Sequence, residues 1–347
     1  MNIVLDCERM KYPNTGLYTF CDKLSISMQK VINGTDHLSF FIYPKSGSFR
    51  GDNATYIKRQ IYNKLLPVYV HNLDIWHTTY QLSKFRGGDI HTKNVLTVHD
   101  LNFLYEDSSL KDKTNAIKKH QQRIDRADHI VAISEFTKKD ILEHLDIKGK
   151  PLSVIHNGAS IIEYTDFEEP RYKPERKFIF SLGTIIPKKN FHVLPALLKN
   201  NDYELIIAGI PSSYSDRIKE EAKKHGVKDR VKIVGAISGE EKYWYLKNCL
   251  AFAFPSLAEG FGIPVVEAMS FGKPVFLSTH TSLPEIGGEY AYYFDDFDAE
   301  SMQNIFDKNM SSFFEKDLSE AIRAHAAKFN WDECARSYYK VYQSLLK

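Results

Sequence analysis

Residues 257–274 read LAEGFGIPVVEAMSFGKP, with two carboxylates, Glu259 and Glu267, eight positions apart and Gly260 and Gly262 next to the first. Pro264 suits the first turn of a helix and Glu267 interacts favourably with its positive end, so a solvated helix start accounts for that residue. It leaves Glu259 and the two glycines unexplained. Bare backbone at a helix start offers N–H groups to an anion or an oxygen-rich ligand. A second stretch, GTIIPKKN at 183–190, puts Lys188 and Lys189 in a turn that carries a glycine and a proline. Two cations in such a turn neutralise a diphosphate well. Cations for phosphates, with carboxylates for sugar or ribose hydroxyls, describe a nucleotide sugar.

Positioning these groups falls to a repeated pattern of elements. Short apolar runs at 3–7, 38–43, 94–98, 129–133 and 152–155 alternate with segments of helical periodicity such as 17–32 and 110–126. That alternation predicts a largely parallel sheet with helices on both faces. A polar, proline-bearing stretch at 163–177 reads as an interdomain link, and the pattern restarts at 178–182, 203–208, 230–234, 250–254 and 275–277. The expectation is an α/β protein of two doubly wound, Rossmann-like domains facing a cleft, with ligands beyond the carboxyl ends of the strands. Both chemical stretches fall in such places, 183–190 ahead of a helix expected from about Phe191 and 257–268 at the opening of another.

The chain of 347 residues, 43% of them hydrophobic, is longer than one core usually serves. Its net charge of +2 argues against a nucleic-acid partner. Cys7, Cys21, Cys249 and Cys334 lack ligand-like spacing and read as buried thiols of a reducing compartment. Asp6 and Glu8 interrupt what would be the apolar part of a signal peptide, and no 18-residue apolar run occurs, so a cytoplasmic protein is expected.

The run Glu259, Gly260, Phe261, Gly262, Ile263, Pro264, Val265, Val266, Glu267, Ala268 resembles the E-G-F-G-x-P-x-x-E-A stretch of retaining glycosyltransferases of family 4, which have the GT-B fold. Further matches in order are the Asn14–Tyr18 loop with Gly16, Val98-His99-Asp100-Leu101, Ile133-Ser134-Glu135-Phe136-Thr137, Asn157-Gly158 and Leu283-Pro284-Glu285-Ile286-Gly287. Within that family it resembles bacterial mannosyltransferase-like members that build surface polysaccharides. The resemblance implies a contact from Glu259 to the transferred sugar, a grip on the ribose from Glu267, and backbone N–H groups from Phe261, Gly262 and Ile263. It carries Lys188 and Lys189 onto the donor's phosphates, Gly16 to the donor, and His99 to the transferred sugar, to which it donates a backbone or side-chain hydrogen bond. His99, Glu259 and Lys189 are thus the implied catalytic set. The implied domains are an acceptor-side domain at 1–165, a nucleotide-sugar-binding domain at 166–328, and a terminal helix at 329–347 that crosses back to the first domain. Gly183-Thr184 stands where many members have Gly-Arg, which leaves the lysines to carry more charge. The threonine variant resembles branches that use GDP-mannose, favouring a GDP-linked over a UDP-linked donor.

No cofactor and no metal are expected, because Asp296-Phe297-Asp298 reads as the acidic cap of a helix starting near Ala299 and not as a metal motif. In this architecture the acceptor, a saccharide or lipid-linked oligosaccharide, is expected at 44–60, 71–90 and Tyr105, with Trp76, His77, Tyr80 and Tyr105 as candidate stacking rings. Lys111, Lys113, Lys118, Lys119, Arg123 and Arg126 crowd the helical segment 110–126, which makes an anionic membrane surface a further expected partner and the inner face of the cell membrane an expected location. Two other readings remain: a nucleotide-sugar-binding module without turnover, and a sugar-nucleotide epimerase of the same fold. The joint presence of His99, Lys188, Lys189, Glu259 and Glu267 favours the transferase.

Overall fold

A computed structural model of the protein describes residues 1–13, 15–44, 55–159 and 169–347. Asn14, most of the 44–60 segment, the start of the 163–177 link and the expected 165/166 boundary lie outside the described residues. The chain divides into two compact units, Met1–Gly158 with Phe329–Lys347, and Ala159–Lys328.

In the first unit the chain forms β1 (Asn2–Asp6), α1 (Gly16–Val31), β2 (His37–Ile42), β3 (Thr55–Lys58), β4 (Ile75–Thr78), β5 (Lys93–Val98), α2 (Leu110–Ile124), β6 (His129–Ala132), α3 (Glu135–His144) and β7 (Leu152–Val154). The strands make one parallel sheet in the order β3-β2-β1-β4-β5-β6-β7, with Ile3 facing both Leu38 and Ile75. A strand covered on both faces has no polar side, which is why the middle of β1, Ile3, Val4 and Leu5, is apolar without alternation. The helices begin where side chains satisfy their first N–H groups: Thr15, Ser109 and Ser134 accept from Tyr18, Asp112 and Thr137. β3 and β4 are additions to the expected strand set.

The second unit runs through β8 (Phe178–Leu182), β9 (Glu204–Ala208), α4 (Tyr214–Lys224), β10 (Val231–Gly235), α5 (Gly239–Asn248), β11 (Ala251–Phe254), α6 (Ile263–Ser270), β12 (Val275–Ser278), α7 (Leu283–Gly287), β13 (Tyr292–Phe294), α8 (Ala299–Lys316) and α9 (Ser319–Ala326). Its parallel sheet has the order β10-β9-β8-β11-β12-β13. Phe180, Phe252 and Phe254 are fully buried in its core. The helix expected from Phe191 is instead a 3-10 run, Phe191–Leu198, with Pro195 inside it, whose ring would clash in an α-helix with the carbonyl four residues back. α8 starts on Asp298, whose carboxylate accepts from the N–H groups of Glu300 and Ser301. The chain then returns to the first unit as α10 (Trp331–Leu345), which packs on α1. Among the described residues no helix is long and apolar enough to cross a membrane.

Candidate functional site

The strand order of the second unit reverses between β8 and β11, the place where open parallel sheets hold ligands. The loops that leave these two strands, 183–190 and 255–262, are bound together. The Lys188 carbonyl accepts from Leu257 N at 2.8 Å and from Ser256 Oγ at 3.2 Å. The Lys189 ammonium makes an ion pair with Glu259 and lies 4.9 Å above the ring centre of Phe254. Lys189 and Glu259, seventy positions apart in sequence, are therefore direct partners, a link the sequence reading of separate phosphate and sugar contacts did not contain.

The backbone around them is held in uncommon conformations. Gly262, at φ +102°, caps α6 without a side chain, so the helix opens on bare amides at Gly262 and Ile263. Gly260 and Phe261 are buried just ahead of it. Gly209 stands so close to β8 that a Cβ on it would lie 1.8 Å from the Gly183 carbonyl oxygen. Asn190 takes the left-handed conformation at φ +57° where the lysine turn meets the 3-10 run.

Two further residues position Glu259. Thr281, left-handed at φ +54°, accepts from Glu259 N through its hydroxyl at 2.9 Å, and the Ser282 hydroxyl donates to the carbonyls of Glu259 and Phe261 at 3.0 and 3.2 Å. A β-branched residue held at positive φ is strained, and such strain collects at functional sites. The only sequence trace of these positions is the hydroxyl-rich stretch that follows β12. Glu267 is buried on α6 and pairs with Lys242 of α5 at 2.6 Å. Lys242 was not among the sequence candidates, since it comes from another helix.

In the first unit the strand order reverses between β1 and β4. Gly16 opens α1 after β1, and a Cβ there would meet nothing within 4 Å. His99 follows β5 and is buried, edge-on to Phe20 of α1 with ring centres 4.7 Å apart. Its Nε2 lies 2.7 Å from the Thr79 carbonyl, a partner that assigns the proton to Nε2. Its backbone N–H goes to Gln81 Oε1 at 3.2 Å. Both donors of His99 thus have partners within the fold, and the second ring nitrogen, Nδ1, is an acceptor. Burial, opposed by the Thr79 carbonyl, lowers its pKa and keeps the imidazole neutral. Asp6, at the end of β1, accepts from Ser83 Oγ and Glu8 N, and burial pushes its carboxyl up to about 7.

Two acceptor candidates prove structural. Trp76 and His77 lie in β4, fully buried, and His77 is bonded through Nε2 to Thr97 at 2.8 Å and through Nδ1 to Tyr342 at 2.7 Å. Burial lowers its pKa to about 3. Tyr105 remains partly exposed and donates to Asp140 at 2.6 Å. Among the described residues no group of three or more His, Cys, Asp or Glu is placed to hold a metal ion.

Residues 163–328 match the family model "Glycosyl transferases group 1", and residues 32–161 match "Glycosyltransferase Family 4". The serotype-specific mannosyltransferase WbdA of Escherichia coli is 26% identical over 301 residues, 81% of this chain and 37% of that protein, so the chain spans little more than a third of that relative. The O-antigen chain mannosyltransferase B of E. coli is 23% identical over 99% of this chain and 100% of its own length. Sucrose-phosphate synthase from Thermosynechococcus elongatus superposes with a TM-score of 0.78 over 100% of this chain and 99% of its own, at 17% identity. Anabaena HepE, in complex with UDP-glucose, gives a TM-score of 0.74 over 99% of this chain and 100% of its own, also at 17% identity. Two doubly wound parallel sheets with these structural likenesses show the GT-B fold, and each of two parts of the chain is similar to a glycosyltransferase family model. In particular, it is related to the glycosyltransferases of family 4 and group 1, with mannosyltransferases among its distant homologues.

Proposed function

We propose that the chain is a retaining hexosyltransferase that moves mannose from GDP-mannose, in preference to a UDP-linked sugar, onto a saccharide or lipid-linked oligosaccharide acceptor at the inner face of the cell membrane. The observation that carries this reading is the Lys189–Glu259 pair at the switch point of the second sheet, beside the bare amides that open α6. The mannosyltransferase relatives support the choice of sugar, and the UDP-glucose complex of HepE supports a nucleotide-sugar donor.

An arriving diphosphate competes with Glu259 for the Lys189 ammonium. As Lys188 and Lys189 turn to the phosphates, Glu259 is released to accept from sugar hydroxyls near the reacting carbon. The lysines and the α6 amides then stabilise charge on the departing diphosphate, the preorganised electrostatic aid that acyl and phosphoryl enzymes also use. Glu267, held by Lys242, takes the ribose hydroxyls, and Gly16 gives the donor close access to backbone. His99, neutral and free at Nδ1, accepts from a sugar hydroxyl. Retention follows if the leaving phosphate takes the acceptor's proton on the same face.

The test is a thermal-shift screen of GDP-mannose, UDP-glucose, GDP and UDP, followed by product analysis. A bound donor raises apparent stability with occupancy. The expected result is the largest shift with GDP-mannose and an α-linked product. An inverted anomeric centre, epimerised free nucleotide sugar, or no shift with any donor would overturn the reading.

A further inference from the structure

Between β3 and β4 the first unit presents Ile61, Tyr62, Leu65, Leu66 and Tyr69 at 87%, 58%, 85%, 60% and 85% exposure. Five large apolar side chains within nine positions form more than the scattered surface residues any protein carries. The segment is anchored at both ends. A capping box between Gln60 and Asn63 fixes its first turn, and Val68 is tied by backbone hydrogen bonds to Arg86 and Gly88 at 2.7 and 3.0 Å. The apolar face is thus held outward by the fold.

At the root of this segment lies a pocket of about 470 Å³ lined by Lys11, Arg59, Lys64 and Glu8, with Tyr43 and Phe85 among its walls. Glu8 pairs with Lys11. Arg59 and Lys64 have no carboxylate partner among the described residues. The Arg59 guanidinium lies over Tyr43 at 5.1 Å and Phe85 at 5.5 Å, and its buried Nε meets no acceptor. A guanidinium fixed by aromatic faces and short of acceptors suits a phosphate oxygen. Exposed apolar side chains next to cations with no carboxylate partner among the described residues complement one surface in particular, an anionic lipid bilayer, whose interface takes up the first and whose headgroups neutralise the second.

We infer that residues 58–69 and the pocket at their root form the membrane-docking surface of this protein, with the apolar side chains in the bilayer interface and Arg59 and Lys64 on a lipid phosphate. This deepens the acceptor side of the proposed function and moves the docking role away from α2. On α2, Lys113 bonds the Leu104 carbonyl, His120 is buried, and Leu110 alone among its large apolar side chains is exposed, against five in 61–69.

The test is co-sedimentation of the full chain with vesicles of phosphatidylcholine, alone or mixed with phosphatidylglycerol. Wild type is expected to bind the mixed vesicles, and less so as salt is added. Leu65→Gln with Leu66→Gln should lower the partition coefficient about tenfold at an unchanged thermal midpoint. Arg59→Gln and Lys64→Gln should each lower it about fivefold on the anionic vesicles alone. Lys118→Glu with Lys119→Glu on α2 should change it little. The inference fails if the double leucine variant binds like wild type, if neutral and anionic vesicles recover wild type equally, or if inorganic phosphate alone abolishes binding, which would mark a site for free phosphate. Turnover of the leucine variant on a short soluble acceptor should match wild type. Absent turnover in wild type would strike the transferase reading and leave the vesicle result standing.

Discussion

At the scale of single residues, Glu259 and Lys189 shield one another, with side chains only 14% and 15% exposed, so removing either leaves a poorly solvated charge. If the proposed reaction holds, Glu259→Gln should therefore cut turnover by tenfold or more, since a hydrogen bond to a charged group contributes about 1.5–3 kcal/mol. Glu267→Gln should act chiefly on donor affinity, and titration calorimetry beside initial rates separates the two effects. Equal turnover in wild type and Glu259→Gln would remove Glu259 from the reacting end. Asp6 gives a pH signature. Its carboxyl titrates near 7 in the fold against an ordinary 3.8, so the stability it supports is complete below pH 3.8 and is lost as pH rises through 7. The difference in unfolding free energy between Asp6→Asn and wild type should grow by up to about 4 kcal/mol between pH 4 and pH 8, read by urea unfolding. A flat difference would show that Asp6 is not held in its acid form. Glu259, Glu267 and the lysine pair were legible in the sequence because each sits in a compact run of glycine, proline and charge. Lys242, Thr281 and Ser282 were not, because what makes them matter is a neighbour brought in by another strand or helix.

At the scale of elements, the alternation of apolar and amphipathic segments revealed most strands of both sheets, and it missed β3, β4 and β13. Those three are short, and their sequences, TYIK, IWHT and YYF, carry polar atoms. His77 can lie in a buried strand only because Thr97 and Tyr342 satisfy its ring, and neither is near it in sequence. Local pattern holds no record of such a partner. The opening of α6 is testable through its glycine. In Gly262→Ala the new Cβ would stand 3.0 Å from Leu283 Cδ2 on a backbone at φ +102°, so unfolding free energy should fall by about 1–3 kcal/mol and donor affinity with it. Gly16→Ala makes the contrast. Its Cβ enters open space on an ordinary backbone, so stability should stay within about 0.5 kcal/mol of wild type while donor affinity falls. Loss of stability in Gly16→Ala, or none in Gly262→Ala, would contradict these assignments.

At the scale of the whole molecule, the first unit is assembled from two distant parts of the chain. Tyr338 of α10 meets Thr97 at 2.8 Å, Tyr342 meets His77, Tyr339 donates to Asp36, and Trp331 packs edge-on against Phe20. Gly158 leaves no room for a side chain, because a Cβ there would lie 2.3 Å from Trp331 N. Tyr342→Phe should strand a buried ring nitrogen of His77 and cost about 1–3 kcal/mol in urea unfolding, with the first unit's tryptophan fluorescence reporting the loss. An unchanged midpoint would mean that α10 merely lies on the sheet. The same discontinuity orders the protein's birth. A nascent chain that has emitted residues 1–158 holds Phe20, His77 and Thr97 without the aromatic partners that complete them, while the second unit is one continuous stretch of the chain. Of the two units, the one that begins earlier is the one completed later.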